Sequence, residues 1–284
     1  MRAEALTGPV VEHGEGPVYC KRWGGLRFVD MMAGDILQLK HDGALSRHHV
    51  GSVAAMIRPR RSGGHVVLAE RSLLLADQDD LQAPVHATAE VWQEETVRMN
   101  EGGCDPTGNL YAGSLAYDQR PGGGKLYRFG PDGEPAVVLG SVTVSNGLEW
   151  SPDGSLAYYN DTATGEISLF DWSAEAGLTN RRRFVAVEGD GSPDGLTVDA
   201  EGGVWVALFG GSAVRRYSPE GRLDEVVELP TSQVTAVTFA GESLDQLVIT
   251  TSKQGMGGSP EPMAGALFVA TPAVEGLPVR EYAG

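Results

Sequence analysis

The sequence has little of several features that usually place a protein in a class. Its 284 residues include only two cysteines, Cys20 and Cys104, and their spacing fits neither a metal-binding motif nor a disulfide framework. No apolar run reaches the length of a membrane span or of the hydrophobic region of a secretion signal. We therefore expect a cytoplasmic protein with both thiols reduced and no association with a membrane.

Positive charge is also scarce. The chain has 22 Lys and Arg residues against 38 Asp and Glu residues, which gives a formal net charge of −16 at pH 7. A strongly acidic surface repels the phosphates of nucleic acids and of anionic lipids. We therefore expect no nucleic-acid partner and look for a small-molecule ligand. The oligomeric state is not determined by the sequence.

What the chain does contain is a repeated pairing of turns with short strands. A turn followed by alternating apolar residues recurs as "DPTGNLYAGS", "SPDGSLAYYN" and "DAEGGVWVAL", with a degenerate copy at "LDQLVITTS". Each copy contains a turn aspartate, and successive aspartates are 48, 46 and 46 residues apart: Asp105, Asp153, Asp199 and Asp245. A second strand, preceded by glycine, follows each copy. No segment has a convincing helical period.

A period of 40–50 residues made of short strands indicates the blades of a β-propeller. Six blades of about 45 residues use nearly the whole chain. The sequence therefore predicts an all-β, six-bladed β-propeller with four antiparallel strands per blade, as one domain over residues 1–284. The second blade is the least regular, and residues 253–265 are predicted to form a surface loop whose role stays open.

Four stretches carry an oxygen-bearing side chain at the same phase of this repeat. They are "GEGPVY" with Glu15, "VRMNEG" with Asn100, "VSNGLEW" with Asn146 and "SPDGLTVD" with Asp194. Equivalent positions on successive blades face one central channel. Carboxylate and amide oxygens suit Ca²⁺, Mg²⁺ or Mn²⁺, and they tolerate Zn²⁺. So few protein ligands leave coordination positions open, which is typical of a catalytic ion.

Each of these residues has a structural explanation when taken alone. Asn146 before Gly147 is a common turn pair, and Asp194 in "SPDG" could be a turn aspartate like Asp153. The phase argues otherwise, because Asp194 aligns with Asn146, whereas Asp153 falls 7 residues later in its blade. Taken together and in phase, the residues predict a metal site.

The segments "EGPVY", "RMNEGGCDPTGNLYAGS", "SNGLEWSPDGSLAYYND" and "PDGLTVDAEGGVWVA" together resemble the regucalcin (senescence marker protein), gluconolactonase and luciferin-regenerating enzyme family. The resemblance extends from about residue 12 to residue 269. It implies a six-bladed propeller, one divalent metal ion and hydrolysis of sugar lactones or related esters. By position, Glu15, Asn146 and Asp194 resemble the protein ligands of that metal, with Ca²⁺ the first expectation.

The same resemblance implies roles for three further residues. Arg98 corresponds to a substrate-binding arginine, and Asn100 to an amide that faces substrate or metal. Asp118 stands where the family often has a glutamate that contacts substrate, although it is one methylene shorter. Arg58, Tyr117 and Arg120 are further candidates for the rim of the channel.

The predicted function is a metal-dependent lactonase in which Asp194 is both a ligand and the acceptor of a proton from water. Arg98 would hold hydroxyl or carboxylate groups of the substrate with its forked donors. Two alternatives remain open. One is hydrolysis of another ester, such as a phosphotriester, which more distant propeller relatives perform. The other is a metal-binding propeller without catalytic activity, since propellers also serve as interaction platforms.

Overall fold

Short β-strands joined by tight turns extend along the whole chain in the computed structural model, which describes residues 1–284. They form six antiparallel sheets of four strands each. The first strand of each sheet packs against the first strands of the two neighbouring sheets, so that these inner strands form a closed ring. The predicted six-bladed, all-β propeller is confirmed.

The strands are numbered in chain order, beginning with β1 (Glu4–Ala5). Blade one contains β2 (Gly14–Cys20), β3 (Gly25–Asp30), β4 (Asp35–Lys40) and β5 (Leu45–His49); blade two contains β6 (Met56–Pro59), β7 (His65–Leu68), β8 (Leu73–Ala76) and β9 (Val85–Ala87). Blade three contains β10 (Val97–Cys104), β11 (Leu110–Ala116), β12 (Gly124–Phe129) and β13 (Pro135–Val142); blade four contains β14 (Ser145–Trp150), β15 (Leu156–Asp161), β16 (Glu166–Ser173) and β17 (Gly177–Ala186). Blade five contains β18 (Ser192–Val198), β19 (Val204–Phe209), β20 (Ala213–Tyr217) and β21 (Leu223–Glu228); blade six contains β22 (Val234–Ala240), β23 (Gln246–Thr251), β24 (Phe268–Ala270) and β1. Three single-turn 3₁₀ helices, at Lys21–Trp23, Met31–Ala33 and Thr162–Thr164, complete the regular structure, and no helix is long and apolar enough to cross a membrane.

The N-terminal segment closes the ring. Strand β1 is the outermost strand of blade six, where Glu4 pairs with Val269 and Ala5 with Phe268. The chain then enters blade one, and His13 forms an isolated bridge with Ser252 at the end of β23. Both ends of the propeller are thus held in the same sheet, so that blade six cannot separate from blade one without breaking strand pairing.

The in-phase turn aspartates precede the second strand of their blades. Asp105 Oδ1 accepts hydrogen bonds from the main-chain N–H groups of Thr107 and Asn109, at 2.9 and 3.0 Å. Asp199 Oδ1 does the same for Glu201 and Gly203, at 3.0 and 2.8 Å. This is the local hydrogen bonding for which aspartate is favoured in turns, and it explains why the residue recurs at each blade.

The apolar core lies between neighbouring blades. Aromatic pairs in edge-to-face contact cross two of these boundaries: Tyr111 with Trp150, with ring centroids 5.3 Å apart, and Trp205 with Phe239, 6.0 Å apart. All four side chains are buried. Such pairs stabilise beyond their buried area, so side-chain packing helps to hold neighbouring blades together.

The C-terminal segment after β24 crosses one end of the channel. The main chain of Gly276 pairs with Asp199 of blade five, and Tyr282 N donates to Pro59 O of blade two at 2.9 Å. Between these points, residues 277–280 line a small cavity of about 40 Å³ formed by the later halves of the inner strands. The sequence contained no repeat in this segment, and its closing role was not predicted. The single domain over 1–284 stays a prediction.

Candidate functional site

Four inner strands are irregular at the positions that the sequence singled out. The pairing register of β10 with β11 shifts between Met99 and Gly102, and the register of β18 with β19 shifts between Pro193 and Leu196. Similar shifts follow Glu15 in β2 and Ser145 in β14. A β-bulge bends the strand and redirects a side chain. Here the bulges contain or adjoin Glu15, Asn100, Asn146 and Asp194, which all line one cavity.

Glycine follows three of these residues because the channel has no room for a side chain there. A Cβ on Gly195 would lie 2.5 Å from the Cβ of Ala236 and 3.0 Å from Glu101 Oε2. On Gly147 it would lie 2.6 Å from the main-chain nitrogen of Leu196. In blade three the equivalent position is Glu101, whose carboxylate occupies space that Gly195 leaves free. Glu101 lines the small cavity at the other end of the channel.

The channel contains two cavities. The larger of these two has a volume of about 210 Å³ and lies at the start of the inner strands. Its lining is mostly polar and comes from five blades: His13, Glu15, Arg98, Asn100, Leu115, Gln119, Val144, Asn146, Thr162, Ser192, Asp194, Phe209 and Gln254. The size and open end suit a small, polar molecule, whereas the 40 Å³ cavity is closed by the C-terminal segment. We therefore take the larger cavity as the candidate site.

A chain of hydrogen bonds orients the two asparagines. Arg98 Nη1 donates to Asn100 Oδ1 at 2.9 Å, so that the Asn100 amide nitrogen faces blade four and donates to Ser145 O at 2.8 Å. Asn146 Nδ2 donates to Thr162 Oγ1 at 2.9 Å, and Thr162 donates to Pro193 O at 2.8 Å. The Asn146 amide oxygen is consequently turned toward the cavity, where Asn100 Nδ2 is 3.4 Å away.

Ionisation of the carboxyl groups in the channel is electrostatically unfavourable. Burial raises the pKa of Asp194 well above its usual value, and the negative charge of Glu101 adds to this. Burial likewise raises the pKa of Glu15, with further contributions from Asp194 and Glu101. Burial raises the pKa of Glu101 itself to about 7. Glu101 therefore disfavours the ionised forms of Glu15 and Asp194, and Asp194 disfavours that of Glu15, so a cation near these acids would be stabilising.

One atom tests whether a divalent cation fits here. Asp194 is buried, yet its Oδ1 has no hydrogen-bond partner, unlike the turn aspartates Asp105 and Asp199. Asp194 Oδ1, the Asn146 amide oxygen and the Glu15 carboxylate form a hard, oxygen-only donor set of the kind that Ca²⁺ or Mg²⁺ takes. The protein has no group of three or more His, Cys, Asp or Glu side chains arranged as metal ligands, because this set contains an asparagine in place of a third acid.

Arg98 is buried at the edge of the cavity without an ion-pair partner. Its guanidinium donates to Met99 O and Asn100 Oδ1, both at 2.9 Å, and lies 5.9 Å from the centre of the Tyr117 ring. Burial lowers its pKa from the usual arginine value. A buried cation that faces a polar cavity is available for a polar or anionic ligand.

Asp118 is not brought to the cavity. Its side chain is 64% exposed and pairs with Arg120 Nη1 at 3.2 Å. The next residue, Gln119, lines the cavity instead and has a left-handed backbone with φ of 52°. Of the other proposed rim residues, Arg58 lies at the opposite end of the channel, where it donates to Gly102 O at 3.0 Å.

Two residues that the sequence analysis missed belong to the channel. His13 lines the cavity two positions before Glu15, so it lies on the same face of the strand. Glu101 could have been noticed from the phase of the repeat, because an acid stands where Gly16, Gly147 and Gly195 stand in other blades.

These features define a class of protein: a six-bladed propeller whose channel ends in a polar cavity with two carboxylates, two asparagines, two glutamines and a buried arginine. Residues 13–253 match the family profile described as the SMP-30/Gluconolactonase/LRE-like region. The chain belongs to this family.

Individual relatives extend over the whole chain. Regucalcin of Danio rerio is 31% identical over 294 residues, with 100% of this chain and 99% of the relative covered. A luciferin-regenerating enzyme has the same fold with a TM-score of 0.92 at 28% identity, and 99% of both chains is covered. A regucalcin of Agrobacterium tumefaciens, described as a calcium-binding protein, also has a TM-score of 0.92 at 23% identity, with 99% of this chain and 97% of its own covered.

Proposed function

We propose that this protein is a divalent-metal-dependent hydrolase that opens a sugar lactone. The unpaired, buried Oδ1 of Asp194 carries the proposal, because an ionisable oxygen held without a protein partner at the wall of a polar cavity suits a cation or a reacting water. Membership of a family that includes gluconolactonase supports the reaction type. Location in the cytoplasm stays a prediction from the sequence.

Glu15, Asn146 and Asp194 would hold the metal ion. Ca²⁺ is the first candidate, because all three donors are oxygens and a related regucalcin is described as calcium-binding; Mg²⁺, Mn²⁺ and Zn²⁺ are the alternatives. When bound, a divalent ion polarises a carbonyl oxygen, lowers the pKa of water and favours the ionised form of neighbouring acids.

Asp194 is the proposed proton acceptor. Water adds to the lactone carbonyl carbon while the Asp194 carboxylate takes one of its protons. The ring C–O bond then breaks, and the proton passes to the departing ring oxygen, so the product is an open-chain hydroxy acid. A carboxylate buried away from bulk water is a stronger base than an exposed one, which suits this role.

Arg98 and Asn100 are proposed to orient the substrate. The guanidinium of Arg98 is fixed by its bonds to Met99 O and Asn100 Oδ1, so its remaining donors are held in position before substrate arrives. Preorganised donors of this kind reduce the entropy lost on binding. Asp118 is left without a proposed contact, because it pairs with Arg120 outside the cavity.

The test measures hydrolysis of D-glucono-1,5-lactone, of other aldonolactones and of a phosphotriester, before and after removal of metal with a chelator and after its return. We expect turnover of a lactone that is lost with the chelator and restored by Ca²⁺ or another divalent ion. Calcium titration by calorimetry is run in parallel, so that binding and turnover are measured separately.

Asp194→Asn separates the two roles of this residue. It keeps an amide oxygen as a ligand but cannot accept a proton near neutral pH, so metal should still bind, more weakly, while turnover falls by about 10²–10⁴-fold. Near-normal turnover of this variant with metal bound would remove Asp194 from the base role. Tight metal binding without hydrolysis of any ester would favour a metal-binding propeller over an enzyme.

A further inference from the structure

One wall of the cavity is built where the chain closes its ring. His13 lies just before β2, Ser252 lies just after β23, and the two form an isolated antiparallel bridge. His13 and Gln254 both line the cavity. We call these three residues the closure wall. None of them belongs to the proposed metal set or to the substrate residues named above.

His13 is held firmly in this wall. The side chain is 7% exposed, and its Nδ1 is 2.7 Å from Ser252 Oγ. The same hydroxyl accepts the main-chain N–H of Gln254 at 2.9 Å. One serine therefore fixes both the imidazole ring and the backbone of its neighbour on the cavity surface.

The other ring nitrogen of His13 has no hydrogen-bond partner in the protein. Nε2 is 3.9 Å from Glu15 Oε1, which is too long for a hydrogen bond. Nε2 is thus a polar atom beside the proposed metal site without a partner from the protein.

The hydrogen-bonding chemistry of an imidazole nitrogen decides which groups can bind there. Nε2 is a donor in one tautomer and an acceptor in the other. An alcohol hydroxyl pairs with either, because it both donates and accepts. A metal ion, by contrast, would require the acceptor tautomer. A carboxylate could pair only with the donor tautomer.

We propose that His13 is a specificity-determining residue that binds a ring hydroxyl of the substrate through Nε2, with Ser252 as the residue that positions the imidazole. The proposal rests on the lactone hydrolase function and assigns the residue that recognises a ring hydroxyl of the sugar lactone. An unsubstituted lactone has the same reacting ester but nothing for His13 to bind.

Lactams, in which an amide replaces the ester of the lactone and which are not turned over like the lactones, allow this binding to be measured directly. We would measure the affinity of D-glucono-1,5-lactam and of δ-valerolactam for the wild-type protein, for His13→Phe and for the control His86→Phe. His86 lies exposed on β9, the outer strand of blade two. We expect His13→Phe to weaken glucono-lactam binding by about 2- to 10-fold, the effect of one neutral hydrogen bond, and to leave δ-valerolactam unchanged.

Enzyme kinetics of the variants and NMR of the wild-type protein provide two further measurements. His13→Phe should raise KM for D-glucono-1,5-lactone with little change in kcat, and should leave δ-valerolactone hydrolysis unaffected; His13→Gln, which keeps a neutral donor and acceptor, should recover part of the loss. In the wild type, glucono-lactam but not δ-valerolactam should shift the NMR signals of the His13 ring nitrogens. This last measurement holds even if His13→Phe does not fold.

The outcomes separate this proposal from the one on which it rests. If glucono-lactam binds and depends on His13 while no lactone is hydrolysed, the hydroxyl site stands and the hydrolase function fails. Equal losses for both lactams in His13→Phe, or no NMR shift with glucono-lactam, would show a structural histidine and overturn the proposal. Failure of wild-type protein to bind glucono-lactam overturns it as well.

Discussion

Replacement of Glu101 by Gln should stabilise the metal-free protein, and more so as the pH rises. Glu101 lies deeper in the channel than the proposed ligands, is 4% exposed, and has an Oε2 atom without a hydrogen-bond partner. Burial raises its pKa from 4.5 to about 7. The folded protein therefore binds the Glu101 proton more tightly than the unfolded chain does.

The sign and size of the effect follow from linkage. Because the folded pKa is the higher one, the contribution of Glu101 to stability is greatest below pH 4.5 and is lost as the pH rises through 7. The pKa rises by about 2.5 units (about 7 minus 4.5), which is roughly 3 to 4 kcal/mol in total, and roughly 2 to 3 kcal/mol of this is lost between pH 5 and pH 8 because part of the titration of the unfolded chain lies below pH 5. Glu101→Gln removes this loss, because the amide does not ionise.

Urea unfolding in the presence of a chelator, at pH 5 and pH 8, measures the difference. Glu101→Gln should raise the free energy of unfolding more at pH 8 than at pH 5, and the two increases should differ by roughly 2 to 3 kcal/mol. Asp153→Asn is the control: hydrogen bonds from Ser151 and Ser155 lower the pKa of Asp153, so this residue is ionised in the folded and unfolded states at both pH values, and the change should affect stability equally at pH 5 and pH 8. A Glu101→Gln effect that is equal at both pH values, or less favourable at pH 8, would refute the argument.

Three further predictions concern the metal, the substrate and the closed end of the channel. Ca²⁺ at 100 times its dissociation constant should stabilise the folded state by about 2.7 kcal/mol; a melting temperature that does not respond to Ca²⁺, or that still responds in Asp194→Ala, would contradict the site. Arg98→Ala should raise KM for a lactone with a smaller change in kcat, and Arg98→Lys should not restore it, because an ammonium lacks the forked donors; full recovery with lysine would argue against the contact. Tyr282→Ala should cost about 3–5 kcal/mol in urea unfolding, since the ring is 1% exposed and its hydroxyl donates to Gly130 O at 2.8 Å; Leu223→Ala, at a residue that is 50% exposed, is the control and should change stability by less than about 0.5 kcal/mol.

Much of the fold could be predicted because it depends on local chemistry repeated at a fixed interval. The turn aspartates Asp105 and Asp199 accept hydrogen bonds from main-chain N–H groups within four residues, so a short local sequence is enough to define the turn. Alternating apolar residues after each turn define strands, and the interval defines the blade. The same phase identified Glu15, Asn100, Asn146 and Asp194 as one set, since equivalent positions of a propeller share an environment.

Features that depend on contacts between distant segments were decided only by the tertiary structure. His13 contacts Ser252, which is 239 residues away in the sequence. The C-terminal segment pairs with blades two and five, although its sequence contains no copy of the repeat. The shifted pKa of Glu101 arises from burial among strands of several blades. At the rim, the left-handed backbone of Gln119 turns that side chain inward and leaves Asp118 outside. Sequence sets the alternation of side chains along a strand, but bulges, turns and neighbouring blades decide which of them enter the cavity, because those directions depend on backbone geometry and packing that no local pattern encodes.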